Sequence, residues 1–281
     1  MSEGRPKTVQ CGPTSSVEAA PLSLVDALLG REGRLFSSQA LSSFYQNDYL
    51  GRNPALDVQD VPWKAERLHE VCRLAGIERA DSLLEVGCGS GVLLEEMGRR
   101  LSCPRTVGVD YSHAIARRAS PAATVGTLRA DGLRLPFHDS AFDLVYFADV
   151  LEHVLEPEGL LREVARVGRR VAALVPLEAG LISTPIYVLR RIRRKPTNLE
   201  QYGHIWRWHR HQVMSLIRRA GQSLQVARAY PGVVPPEQMN AMNVRGRAVQ
   251  LPRAAIVRLW PRMAELLFGQ MVLAIVARGS R

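Results

Sequence analysis

Short apolar runs alternate with amphipathic stretches through the middle of the chain. Residues 61–75 put Trp63, Leu68, Val71, Cys72 and Leu74 in helical register, and Gly76 stops the run. Residues 82–86 are a short apolar run, the first predicted strand. A helix over 91–101 follows, then strands over 106–110, 124–130 and 142–148. A helix over 112–119, with Ser112 as its N-cap, separates the second and third strands. Residues 156–167 predict a helix with acidic residues in its first turn, and 171–175 a fifth strand. Strand, helix, strand at this spacing calls for right-handed crossovers that cover a parallel sheet.

Past Pro176 the rhythm breaks. Residues 181–194 are apolar at first and then very basic, and 203–211 hold two Trp and three His. A helix over 211–220 stops at Gly221, strands are predicted over 224–230 and 271–278, and a helix near 254–268 lies in the insert between them. Ahead of the sheet come a polar tail at 1–20, read as disordered, a short helix over 22–29 ended by Gly30, and an aromatic stretch at 44–49. The expected organisation is a tail at 1–20, a helical segment at 21–80 and one domain at 81–281, with lid or insert segments at about 180–221 and 232–270.

Composition narrows the class. Nearly half the residues are hydrophobic, enough for a sizeable core. Cys11, Cys72, Cys88 and Cys103 lie far apart with no CxxC pair, so neither a zinc site nor a disulfide framework is indicated. Residues 1–16 lack the apolar core of a signal peptide, and Pro176, Glu178 and Pro185 interrupt the stretch at 171–189 that is poorest in charge. These points predict a soluble, cytoplasmic protein in a reducing compartment. The net charge of +10 is uneven: residues 185–281 hold 17 basic and 3 acidic side chains, a balance of +14. Such asymmetry marks either a surface for an anionic partner or a set of solvated faces.

The first strand ends in Leu84-Glu85-Val86-Gly87-Cys88-Gly89-Ser90-Gly91, and a helix follows. Glycines at 87, 89 and 91 let the chain turn sharply and let backbone N–H groups approach a ligand. Nucleotide-binding folds share such turns, so the turn alone discriminates little. Asp110 ends the second strand, where a carboxylate can accept both hydroxyls of a ribose. Asp131-Gly132 ends the third, where an acid can take the exocyclic amine of adenine. The fourth strand leads into Phe147-Ala148-Asp149-Val150-Leu151-Glu152-His153-Val154. A dinucleotide-binding G-x-G-x-x-G would want its third glycine one place later.

These motifs resemble the class I S-adenosylmethionine-dependent methyltransferases, in the small-molecule branch that includes the ubiquinone and menaquinone biosynthesis enzymes. The resemblance is strong over 82–175, weaker to the last strand, and leaves 1–61 and 185–271 uncovered. It implies an α/β, Rossmann-like fold: a seven-stranded, mostly parallel sheet with helices on both faces, N-terminal helices and a lid inserted after strand five. It implies S-adenosyl-L-methionine as cofactor and S-adenosyl-L-homocysteine as product. Carried over, Glu85, Gly87 and Gly89 sit at the methionine end, Cys88 and Gly91 are further cofactor contacts, Asp110 holds the ribose, and Tyr111 lies against adenine. Asp131, Gly132 and Leu133 lie near the adenine amine, and Phe147 and Ala148 line the cofactor floor.

His153 is the candidate base, because a neutral imidazole accepts a proton near pH 7. Asp149, Glu152 and His153 stand at i, i+3 and i+4, so on a helix they share a face. Such a face could bind a metal, though a metal-free site is the expectation. Tyr45, Tyr49, His204 and Trp206 are candidate acceptor contacts, as walls of the lid and the N-terminal segment. The predicted function is methyl transfer to a small molecule, most readily to oxygen, on a secondary metabolite, quinone precursor or glycan building block. A second reading is an enzyme on an anionic membrane surface acting on a lipid-like acceptor, because the helix near 254–268 and the Arg-rich run after 181 suit an interface. A third is an RNA methyltransferase using the basic C-terminal half, against which stands the lack of an RNA-binding module and of Asn-Pro-Pro-Tyr or catalytic-Cys signatures.

Overall fold

The structure is a computed structural model that describes residues 43–45, 49–52, 56–112, 126–193, 198, 202–231, 256, 259–269 and 271–279. The expected tail at 1–20, the helix at 22–29, most of the helix at 112–119 and residues 232–255 of the insert at 232–270 lie outside the described residues. Seven strands form one sheet: β1 (Ser82–Val86), β2 (Arg105–Asp110), β3 (Gly126–Arg129), β4 (Phe142–Ala148), β5 (Gly168–Leu177), β6 (Gln222–Pro231) and β7 (Met271–Gly279). Their order is β3-β2-β1-β4-β5-β7-β6. All neighbours are parallel except β7, which runs antiparallel to β5 and β6. The mostly parallel seven-stranded sheet is the one the sequence predicts.

The described helices of eight residues or more are α1 (Val61–Leu74), α2 (Val92–Arg100), α3 (Pro157–Val167), α4 (Ser183–Ile192), α5 (Arg210–Arg219) and α6 (Pro261–Phe268). Alternate residues of the central strands feed two cores. Leu84, Val86, Val145, Phe147, Val171, Ala173 and Val175 pack under Leu160, Leu161 and Val164 of α3 and Val213, Leu216 and Ile217 of α5. Leu83, Leu144, Tyr146, Ala172 and Leu174 pack under Ala65, Leu68 and Val71 of α1 and Leu94 and Met97 of α2. Central strands covered on both faces read as continuous apolar runs, which is why β1 and β4 end where the sequence predicts. β5 runs three residues earlier and two later than predicted, because Gly168 and Arg170 at its start and Pro176 and Leu177 at its end still pair in the sheet. The apolar-to-basic run after 181, which the sequence reads as a loop beyond the fifth strand, folds instead as α4.

β1 lies between β2 and β4, so the crossovers diverge on either side of it. In open α/β sheets that switch point, at the carboxyl ends of the strands, is where ligands bind. The ends of β1, β2, β3 and β4 carry the residues singled out above. No helix among the described residues is long and apolar enough to cross a membrane.

Candidate active site

Gly87, Gly89 and Gly91 take φ of 74°, 53° and 80°. In that left-handed region a side chain costs roughly 1–2 kcal/mol. The turn is tied to β2: the N–H groups of Gly87 and Cys88 donate to the Val109 carbonyl at 2.8 and 3.0 Å. The Gly89 N–H donates to Asp110 Oδ2 at 3.1 Å, and the Ser112 N–H donates to Oδ1 at 2.8 Å. Asp110 is thus a staple between the glycine turn and the segment after β2, as well as an acid at a strand end. Cys88 turns inward against Gly108, where a Cβ would sit 2.7 Å from its sulfur.

A Cβ on Gly87 would lie 2.5 Å from Cγ2 of Val150. The glycine is required first by the chain's own packing against the segment after β4. Gly87→Ala is expected to lower the melting temperature, through left-handed strain and this clash. Adding Val150→Ala should recover only the clash component. Calorimetry of the single and double variants checks this; an unchanged melting temperature in Gly87→Ala would refute the geometry.

Other strand-end residues divide. Glu85 is buried and accepts a hydrogen bond from the Tyr146 hydroxyl at 3.0 Å. Tyr111 is exposed beside Asp110. Asp131 is exposed, and its Oδ1 accepts the Leu133 N–H at 2.9 Å, which closes the loop after β3. Gly132 packs inward, since a Cβ there would meet Leu160 at 3.0 Å and Val86 at 3.2 Å. Phe147 is fully buried in the core under α3, so its side chain supports the site's floor from beneath, while Ala148 is half-buried. Two residues that sequence reasoning gave no ligand role stand out: the Ser90 and Ser112 hydroxyls are buried without hydrogen-bond partners. Ser90 lies inside the quoted glycine run, so the signal was available. Two orphan hydroxyls flanking one strand-end crevice fit a polar ligand with several hydrogen-bonding groups.

Beyond β4 the chain forms a 3-10 turn, Leu151–His153. The helical face proposed for Asp149, Glu152 and His153 does not form. Asp149 takes φ of 54° and pairs with Lys64 of α1 at 2.8 Å. His204 comes into the group instead. Glu152 is fully buried; its Oε1 lies 3.7 Å from His153 Nε2 and 3.9 Å from His204 Nε2, and neither carboxylate oxygen has a hydrogen-bond partner. One ligand atom from each of the three residues falls within 4.8 Å of the others, a spacing that could hold a metal ion. His204 Nδ1 lies 2.8 Å from Glu178 Oε1, which also accepts from Asn198 Nδ2 at 2.6 Å. The segment after Gly203 is pinned there because the N–H groups of Ile205 and Trp206 donate to the Glu152 carbonyl at 3.0 and 3.1 Å.

Tyr45 approaches from the N-terminal segment. Its hydroxyl is 2.6 Å from His153 Nδ1, which is itself 3.2 Å from the Gly203 carbonyl. Tyr49 stands edge-on to the His153 ring at 6.4 Å between centroids. Tyr45, Tyr49 and His204 therefore gather around His153. Trp206 does so less directly: its indole N–H donates to the Val154 carbonyl at 2.7 Å, and its ring stacks on buried Trp208. It buttresses the turn after β4.

Electrostatics follow from burial. Burial, with the charge on His204, pushes His153 down to about 3, so its imidazole is neutral. Burial pushes Glu152 up to about 8 despite the opposing pull of His204. Burial also opposes a charge on His204, but the Glu178 carboxylate outweighs it and lifts His204 to about 9. A histidine raised above its unfolded value near 6.5 stabilises the fold fully below that pH and loses the contribution as pH rises through the folded value. Stability should therefore fall between pH 6.5 and about 9 as His204 loses its proton. The raised Glu152 acts in the same direction up to about 8. In Glu178→Gln the alkaline fall should be shallower; thermal unfolding against pH checks this, and an identical slope would remove Glu178 as the cause.

A glycine turn at a switch point, an acid stapled to it from β2, and an enclosed His–Tyr–Glu group beyond β4 belong to one Rossmann-like domain. Comparison with known proteins adds a match over the same strands: residues 84–175 match the family described as "Methyltransferase domain". The match covers about a third of the chain and, with the fold, supports a class I methyltransferase domain that takes S-adenosylmethionine. It is 35% identical to a demethylmenaquinone methyltransferase of Corynebacterium urealyticum, over 50% of this chain and 59% of that protein. It is 33% identical to a 27-O-demethylrifamycin SV methyltransferase of Amycolatopsis mediterranei, over 39% of this chain and 46% of that protein. The chain thus spans about half the length of these curated relatives. A solved structure of geranyl diphosphate methyltransferase, in complex with GPP and sinefungin, shares the fold at a TM-score of 0.53 and 17% identity, over 78% of this chain and 79% of that one. The orphan hydroxyls of Ser90 and Ser112 and the stapled Asp110 fit the hydroxyls and charged groups of S-adenosylmethionine.

Proposed function

We propose that this chain transfers a methyl group to a hydroxyl of a small-molecule acceptor in the cytoplasm, with His153 as the base. The observation that carries this reading is the His153 imidazole after β4, held by the Tyr45 hydroxyl at 2.6 Å and the Gly203 carbonyl at 3.2 Å. Val150, three residues earlier, fills the space next to Gly87. Glu85, Gly87, Gly89, Gly91, Asp110, Ser90 and Ser112 would hold S-adenosylmethionine, which supplies an electrophilic methyl on a sulfonium. Asp131 and Tyr111 would meet the adenine end. On the acceptor side, Tyr45, Tyr49 and His204 exclude water and align the hydroxyl, the alignment that supplies much of the catalysis in such a displacement. His153 accepts the hydroxyl proton as the new oxygen–carbon bond forms. The Tyr45 hydroxyl and the Gly203 carbonyl hold the ring in position through Nδ1.

The experiment is incubation of the protein with methyl-labelled S-adenosylmethionine and fractionated metabolite extracts, followed by mass identification of the labelled product. An O-methylated small molecule is the expected result. Label on carbon or nitrogen would refute the hydroxyl assignment, and label on RNA would replace the substrate class.

A further inference from the structure

Two stretches rich in exposed apolar side chains meet at one edge of the lid. α4 buries Thr184 and Tyr187 and turns Ile186, Leu189 and Ile192 to solvent, in line with Ile182 just before it. This is an i, i+4, i+7 stripe that faces outward where a core helix would face inward. Leu259, Met263 and Leu266 repeat the same spacing along and just ahead of α6, with Trp260 beside them, and they too are exposed. The N–H groups of Leu181 and Ile182 donate to the carbonyls of Leu266 and Leu267 at 2.9 and 2.7 Å, so the stripes join where α4 begins and α6 ends. Nine of the twelve exposed large hydrophobics among the described residues belong to these two stretches; Leu181, Ile192 and Trp260 are each more than 60% exposed. Single exposed apolar residues are ordinary, but a contiguous group marks an interaction surface.

Charge selects the partner. Arg190, Arg191, Arg193 and Arg262 lie within the same stretches. The one acid there, Glu265, is paired with Arg210 at 2.5 Å. Apolar stripes carrying a Trp and edged by arginine suit the boundary between acyl chains and anionic headgroups. A second copy of this surface would set arginine against arginine, whereas a bilayer offers acyl chains beneath negative headgroups. We propose that the α4–α6 surface docks the enzyme on an anionic lipid bilayer, peripherally and without a membrane span. This goes beyond the methyl-transfer reading and does not depend on it. It bears on that reading in one way: Glu178, the partner of His204 in the acceptor pocket, lies three residues before Leu181.

The test is sedimentation of the full chain with vesicles of phosphatidylcholine alone or mixed equally with phosphatidylglycerol. Binding at least tenfold tighter to the anionic vesicles, weakened by added salt, is expected. Trp260→Ser combined with Leu266→Ser should reduce it at least tenfold, and so should Arg190→Gln with Arg193→Gln. Each variant should keep wild-type affinity for S-adenosylhomocysteine, which shows that the fold is intact. No vesicle binding, equal binding to neutral vesicles, or undiminished binding by both variants would overturn the proposal. A concentration-dependent dimer that the Trp260/Leu266 variant abolishes, without vesicle binding, would likewise overturn it and give the surface to a second copy.

Discussion

His153→Ala is expected to lower turnover on the identified acceptor by about 10²-fold, the lower end of the 10²–10⁴ range for a positioned base. The lower end follows from burial: a nitrogen pushed down to about 3 is a weaker base than an exposed imidazole. S-adenosylhomocysteine affinity should be unchanged, because the side chains that meet His153 are Tyr45, Glu152 and His204, the group assigned above to the acceptor. Tyr45→Phe removes one partner of Nδ1 but keeps the ring in place, so its loss should stay within about tenfold. The pH profile distinguishes a base from a packing residue. An exposed histidine would give a limb near 6.5; His153 is already neutral there, so its own acid limb should appear well below pH 5. Turnover within a few-fold of wild type in His153→Ala would leave catalysis to alignment. Loss of activity with a chelator and recovery with magnesium or zinc would instead make Glu152, His153 and His204 ligands of a Lewis acid.

What the sequence made legible, and what it did not, divides along the range of the forces involved. β1 and β4 were readable to the residue because strands buried on both faces are mostly apolar, here broken only by Ser82, Glu85 and Asp143. The glycine turn and Asp110 were readable because a left-handed backbone and a strand-end carboxylate leave local marks. The group of Glu152, His153 and His204 was not, because it joins positions about 50 residues apart through the Ile205 and Trp206 N–H groups on the Glu152 carbonyl. Helical spacing suggested Asp149 as the third member, yet a left-handed residue at 149 sends that carboxylate to Lys64. Phe147 fell on the expected strand end but on its core-facing side, since side chains alternate across a sheet and Phe147 shares its face with Val145. The run that forms α4 was legible as one suited to an interface but not as a helix with an outward stripe, because periodicity says nothing of what an apolar face meets.

Asp110→Ala should weaken S-adenosylhomocysteine binding by about 10–150-fold, equivalent to about 1.5–3 kcal/mol for lost hydrogen bonds to a charged group. Two causes contribute. The carboxylate is the expected ribose acceptor, and it also holds the Gly89 and Ser112 N–H groups at 3.1 and 2.8 Å. Removing it frees two buried donors and loosens the glycine turn, so a loss of affinity alone would not establish the ribose contact. A cofactor product lacking the ribose 2′-hydroxyl separates the causes. On the wild-type chain the deoxy compound should bind several-fold more weakly than S-adenosylhomocysteine; on Asp110→Ala the two should bind alike, because the group that reads the hydroxyl is gone. Asp110→Asn should fall between, since one oxygen still accepts from backbone while the amide nitrogen faces the other donor. Titration calorimetry gives all six affinities. If the deoxy compound is discriminated equally by the wild type and Asp110→Ala, the carboxylate serves only to staple the turn, and the ribose must be read by another group in the crevice, for which the buried Ser90 and Ser112 hydroxyls are the next candidates.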